Sequence, residues 1–580
     1  MELTQEQLKI IGSQASSVVV GAAGTGKTTT LIAKVKTLLT SGVEPEAIYV
    51  AAFSYRSMLM LRHFLLTSIG KKAEKVSVGT FRDFSLSILQ TQNKDLPSIA
   101  DHATIRRCMQ QAMKETKFGG TSVEAEHIIR SFKARARKPD ENEKHYSLLL
   151  AFKNFMEQTG KIDRYDIVRK HIVGMRNDVY QPCPIKHLLV DNIQDATQIQ
   201  FLWLFEHLKT GVILTAFGDD DLCLFEKDGA IGSAAFFDLE ELDGVSKLTL
   251  NQNFRISKNI GDSVFKTVSG LSGHIQKDNE FIKTEKTKLS LKSFDTVDKE
   301  LEHIVTRIKT IQKQTPDAHI AILVRNDYQA NRMSYVLNVV GLDHSCVSPS
   351  LWDMPGAIMV MDLLEVILNT ASDDQLFNTL VCLGLNRSLV DSLFANGMVA
   401  KDWLRNGAVL PEHIDLPTAT LQEYGLLQRK LTGYYVAMFK GEVKPQELFK
   451  AISYEIVEGL EGEEQRDALM AVEALTSIKG NPASVLKQIK TFTVPDMRHK
   501  VVVSPIREVR NWEFDWVFMP FSSTDVYPYT GYKVLKPNMS HEKKVVYMAL
   551  TRAKKGIEVS STGTISDILK KVEARVQQHN

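Results

Sequence analysis

Gly21-Ala22-Ala23-Gly24-Thr25-Gly26-Lys27-Thr28 has the spacing GxxxxGK[ST], and reading it decides the fold class. The apolar run Ser17–Val20 precedes it and a helix-like run begins at Thr28, which is the strand–loop–helix setting such a loop needs. In that setting backbone N–H groups cradle phosphates, the lysine reaches the β/γ-phosphates and the hydroxyl of Thr28 can hold Mg²⁺. The expectation is therefore a P-loop nucleoside-triphosphate site formed by residues 21–28 and Thr29, built on a parallel α/β sheet.

Working outward, short apolar runs alternate with helical patterns in two separated stretches. The first offers strands at Ser17–Val20, Ala47–Phe53, His187–Asp191 and Gly211–Phe217; the second offers His319–Val324, Lys500–Ser504 and Asp515–Met519. Residues 100–165 and 372–485 read as almost purely helical. This predicts two parallel-sheet α/β cores, each interrupted by a helical insertion. The end after Thr564 reads as one amphipathic helix. At 580 residues the chain exceeds what one core supports.

Composition excludes several classes. With 43% apolar and 24% charged residues the chain has an ordinary globular make-up. Its 71 basic and 69 acidic residues leave a net charge of +2, so a nucleic-acid site would have to be a local patch. Arg130, Lys133 and Arg137 supply one candidate, spaced to share a helix face. The five cysteines form no CxxC, which points to a reducing cytoplasm without structural zinc. No uncharged apolar run approaches membrane-spanning length, no signal peptide is evident, and no membrane partner is expected. His145 and His187 lack partners at metal-ligand spacing, and Trp352 and Trp403 are expected to pack inside.

Two further elements suit a triphosphate site. Leu188-Leu189-Val190-Asp191 is an apolar run ending in a carboxylate suited to Mg²⁺, and Gly218-Asp219-Asp220-Asp221 follows another strand. With these the chain resembles the superfamily 1 helicases of the UvrD/Rep type. Leu3-Thr4-Gln5-Glu6-Gln7 resembles the Q motif, Phe53-Ser54 motif Ia, and Gly79-Thr80-Phe81 motif Ib. Val190–Asp195 resembles motif II and Gly218–Leu222 motif III. Asn253-Phe254-Arg255 resembles motif IV, Arg510-Asn511-Trp512-Glu513 motif V, and Ala549–Lys554 motif VI.

The resemblance implies ATP and Mg²⁺ as cofactors, with Thr28 and Asp191 as metal residues. Gln7, Phe254, Arg255, Glu513 and the arginine finger Arg552 would complete the nucleotide site around Lys27. It implies contact with single-stranded or partly duplex DNA through Phe53, Ser54, Thr80, Phe81 and Phe225, and through Arg130, Lys133 and Arg137. It implies 3′–5′ translocation. The expected organisation is a first core over 1–98 and 166–275 with its insertion at 99–165, then a second core over 276–371 and 486–564 with its insertion at 372–485, and a tail at 565–580.

The departures from the family pattern cluster. Asn192 stands in place of the catalytic Glu, Leu222 in place of a phosphate-sensing Gln, and Asn511 in place of a Gly. Arg507 and Arg82 replace histidines, while Phe225, Lys227 and Asp228 replace Tyr, Trp and Arg. An amide accepts no proton from water at neutral pH, and losing a general base costs about 10²–10⁴ in rate. Hydrolysis is therefore expected to be impaired, unless Asp195, Asp219, Asp220 or Asp221 takes over. The alternative is an ATP-gated DNA-binding or scaffold subunit. A separate nuclease is a further candidate partner, because the short stretch after Arg552 leaves no room for a fused one.

Overall fold

The computed structural model describes residues 3–93, 96–100, 102–348, 355–395, 397–404, 418–440, 445–460, 462–477, 499–530 and 534–579. The chain divides into two compact units, one of residues 1–325 with 505–580 and the other of 326–504.

The first unit is organised by a six-stranded parallel sheet. Its strands are β1 (Ser16–Gly21), β2 (Ile48–Ala52), β3 (Ser77–Thr80), β4 (His187–Asp191), β5 (Ile213–Gly218) and β6 (Val245–Leu250), laid out in the order β3-β2-β4-β5-β1-β6. Alternate residues face opposite sides of a strand, so β1 and β4 feed two separate cores. Val18, Val20, Leu188 and Val190 pack with Trp203 and Phe236 on one face. Val19, Leu189 and Phe217 pack with Leu31 and Val35 on the other. Helices covering both faces explain why these strands read as unbroken apolar runs.

Because β1, β4 and β5 are parallel neighbours, their C-terminal ends lie side by side. Gly21, Asp191 and Gly218 therefore converge at one sheet edge, where open α/β sheets place their ligands. The helices His102–Glu115, Ser122–Lys133 and Tyr146–Gln158 share a small core of their own around Phe132 and Phe152. Four more parallel strands, Lys288–Phe294, Ala553–Thr562, Phe514–Met519 and Ile320–Val324, pair in that order. The terminal helix runs Asp567–His579.

The second unit pairs Ser345–Cys346 in parallel with Val501–Pro505 and is otherwise mostly helical. Its core gathers Leu363, Leu380, Leu431, Phe449 and Leu475 from five helices. Trp403 is buried there, its Nε1 donating to Tyr424 Oη at 2.8 Å, as expected of a packing residue; Trp352 lies outside the described residues. Among the described residues, no helix is long and apolar enough to cross a membrane.

Candidate nucleotide and strand site

The loop after β1 turns through Gly24 (φ 93°) and Gly26 (φ 81°), backbone conformations that favour glycine. A Cβ on Gly24 would come within 2.6 Å of Asn253 Oδ1, so the loop is also too tight for a side chain. The helix Lys27–Thr40 that follows has neither a side-chain cap nor an acidic residue in its first turn. Its N–H groups are thus presented to an anion, and the helix dipole favours one. The Lys27 ammonium folds back to donate to Gly21 O at 2.7 Å and Ala22 O at 2.9 Å. Burial lowers its pKa to about 8 against the pull of Asp219 and Asp191.

Asp191, at the tip of β4, is pushed up to about 6 by burial; the Lys27 charge, the Asn511 amide and the Thr28 hydroxyl oppose that rise. A carboxylate and a hydroxyl side by side form an all-oxygen donor set that fits Mg²⁺. Mg²⁺ held by Thr28 and Asp191 would neutralise charge on a triphosphate. Asn192 adopts the left-handed conformation (φ 64°, ψ 53°), which Asn tolerates better than Glu.

The four carboxylates that could replace the missing base are all engaged. Asp195 is ion-paired with Arg510. Lys277 Nζ lies 3.2, 2.6 and 2.7 Å from Asp219, Asp220 and Asp221. His274 adds a second contact to Asp221 at 2.9 Å. Asp219 also accepts from Tyr547 Oη at 3.1 Å, and that hydroxyl accepts in turn from Ala23 N at 3.4 Å. Leu222 is buried beside them.

The remaining nucleotide candidates are drawn to the same edge. Phe254 N donates to Gly24 O, and Asn253 Nδ2 donates to Ala23 O. Gln7 is buried in the capping box of the helix Gln5–Gly12, and a Cβ on Gly26 would lie 2.8 Å from its Nε2. Arg255 Nε donates to Glu513 at 3.1 Å, and its guanidinium also donates to Thr551 O. Arg552 is 2% exposed and donates to the carbonyls of Met548 and Arg510. Burial lowers it to about 9. Thr29 is exposed on the first helical turn.

The DNA candidates fare unevenly. Ser54 and Thr80 cap the helices Tyr55–Ile69 and Phe81–Gln92, and Phe53 is half-buried. Phe81 corrects the expectation of base contact: it is 0% exposed, wedged between Phe53 and the edge of Trp203, so its ring face meets no base. Lys133 corrects it too, being 7% exposed and ion-paired with Asp163 and Asp166. Arg130 contacts Glu126, Asp228 and Tyr165 Oη, and Arg137, though exposed, lies beyond the helix Ser122–Lys133, so the three do not share the helix face their spacing predicted. Phe225 lies under the Arg510 guanidinium, 3.9 Å from ring centroid to Cζ. Sequence reasoning missed Lys277, Tyr547, Gln194, whose Nε2 donates to Asn192 Oδ1, and the partnership of Asn511 with Asn192 and Asp191, none of which carries a local signal.

Two family domains match the chain in tandem: the UvrD/REP helicase N-terminal domain over residues 3–231 and the UvrD-like helicase C-terminal domain over 248–404. DNA helicase II of Escherichia coli (strain K12) is 24% identical over 364 residues, covering 58% of this chain and 50% of that protein. The ATP-dependent DNA helicase srs2 of Schizosaccharomyces pombe is 21% identical over 389 residues, covering 59% of this chain and 43% of its own length. The chain spans about half the length of these relatives.

Proposed function

Because the chain belongs to the UvrD-like family of superfamily 1 helicases, we propose that it is an ATP-binding translocase on single-stranded or partly duplex DNA, of 3′–5′ polarity, that hydrolyses ATP slowly. The observation that carries the slow step is the engagement of every substitute carboxylate. With Asn192 in the base position, Asp195, Asp219, Asp220 and Asp221 are each already paired with a cation, so none is free to orient an attacking water. Retention of Lys27, Thr28, Asp191, Arg255, Glu513 and Arg552 supports binding of ATP with Mg²⁺. The proposal includes the four-part organisation set out from the sequence, and a cytoplasmic setting supported by cysteines without a CxxC.

Leu222 favours a second reading, an ATP-gated DNA-binding or scaffold subunit serving a separate nuclease. A buried leucine offers a γ-phosphate no hydrogen bond, so strand contact would answer to occupancy rather than turnover. ATP turnover with and without single-stranded DNA tests both readings, with Lys27→Ala as the control. Slow turnover that DNA accelerates supports the translocase. Turnover no faster than Lys27→Ala, together with nucleotide-dependent DNA affinity, supports the subunit. A turnover in the ordinary motor range overturns the impairment.

A further inference from the structure

Of the aromatic side chains that the resemblance assigns to DNA, Phe81 is fully buried and Phe225 lies under Arg510. Half-buried Phe53 packs against Phe81, with 5.2 Å between ring centroids. Tyr55, at the same edge, is different. It opens the helix capped by Ser54, just beyond β2, whose neighbour in the sheet is β4 with Asp191 at its tip. It is 60% exposed, and among the described residues its ring meets no other ring and its hydroxyl has no hydrogen-bond partner. The next residue, Arg56, places Nη1 3.2 Å from Glu508 Oε2, and Arg507 Nε lies 3.3 Å from Glu508 Oε1. One carboxylate is thus shared by two guanidiniums whose side chains are 41% and 38% exposed, and the group is left with a positive balance toward solvent. Arg507 is also a departure from the family pattern, a permanent charge where that pattern has a titratable His.

We propose that Tyr55, Arg56 and Arg507 form a strand-holding site, in which the Tyr55 ring stacks a base of single-stranded DNA and the two guanidiniums take a neighbouring phosphate, a position that the Glu508 carboxylate fills while the strand is absent. The inference rests on the DNA-binding reading above. Consecutive residues on a helix point about 100° apart, so the Tyr55 ring and the Arg56 guanidinium meet different parts of one strand. A carboxylate offers a guanidinium the same paired acceptors as a phosphate, so Glu508 keeps both arginines posed for an anion and competes with the strand for them. Every base has a π-face, so a grip of this kind is blind to sequence, and a duplex, whose base faces are covered by the stack, cannot use the ring.

The test measures affinity for a fluorescent oligo(dT), and for a strand of the same length made of abasic sites, across a salt series. Tyr55→Ala should weaken oligo(dT) binding about tenfold, the loss of one base stack, with an unchanged salt slope and no effect on the abasic strand. Tyr55→Phe keeps the ring and should bind as wild type does. Arg507→Gln should weaken both strands and lower the salt slope by about 0.7, one phosphate contact. Glu508→Gln should tighten both strands at low salt by up to about fivefold, the worth of an exposed ion pair. Thermal melts should not move in any of these variants; should Tyr55→Ala melt early, Tyr55→Ser, which suits the start of a helix, carries the same comparison. Oligo(dT) binding that is unchanged in Tyr55→Ala, or that falls equally on the abasic strand, would overturn the stacking seat, and weaker binding by Glu508→Gln would overturn the competition for the arginines. No affinity of wild type for oligo(dT) would overturn the DNA-binding reading beneath it.

Discussion

Replacing Lys277 with Met removes one cation from the midst of three carboxylates. Its Nζ lies within 3.2 Å of Asp219, Asp220 and Asp221, and its side chain is 5% exposed. An exposed pair would be worth at most about 1 kcal/mol. Here the loss leaves buried charges uncompensated, which costs about 3–5 kcal/mol, with His274 still holding Asp221. The deficit should depend on pH. Burial already raises Asp220 to about 6 despite the Lys277 charge, and the neighbouring carboxylates push the same way. A group raised in the folded state loses stability as pH rises through that value, so the Lys277→Met deficit should be larger at pH 8 than at pH 5.5, where a proton relieves the crowding. Urea melts at both pH values, with hydrogen exchange at the amides of β1, β4 and β5, read the effect. A deficit below about 1 kcal/mol, or one equal at both pH values, would refute the reasoning.

Burial lowers His171, and lowers His207 to about 4, so the unfolded chain takes protons first. Their contribution is complete above about pH 6.5 and is lost as pH falls from there toward 4; for His207 the total is roughly 3 kcal/mol, measurable in a pH series of melts. Lys133→Ala should destabilise the fold by about 3–5 kcal/mol because it strands Asp163 and Asp166. Arg137→Ala should leave the melt unchanged and, if this face meets phosphates, lower the salt slope of DNA binding by about 1. Phe81→Ala should cost about 3–5 kcal/mol in urea melts as a core cavity.

What the sequence disclosed follows from how locally each feature is determined. His187–Asp191 is buried on both faces, so its apolar run announced a strand with matching bounds. Val245–Leu250 went unpredicted because Ser246, Lys247 and Thr249 break the run at a sheet edge where one side meets water. Ala553–Thr562 was obscured by Lys554, Lys555 and Gly556. In the site, the loop at 21–28 and the tip of β4 were legible because their chemistry sits in consecutive residues. The inward turn of Lys133 was not, because helical spacing cannot say which face Asp163 and Asp166 will approach. The bond between Asn192 and Asn511 was equally hidden: each residue was visible as a departure, but only the folded chain brings two amides so far apart in sequence within reach.

Glu124 is fully buried and accepts N–H groups from Val534 and Leu535, more than four hundred residues onward. Asp195 waits in the same way for Arg510, and Asp219 for Tyr547. During synthesis the first 250 residues therefore emerge with all six strands of their sheet before these distant contacts exist, with Thr121 already serving Glu124 and Lys277 next to reach Asp219. Translation must pass residue 547 before the last of these distant contacts forms, and a fragment truncated ahead of 505 would leave Asp195 without Arg510 permanently.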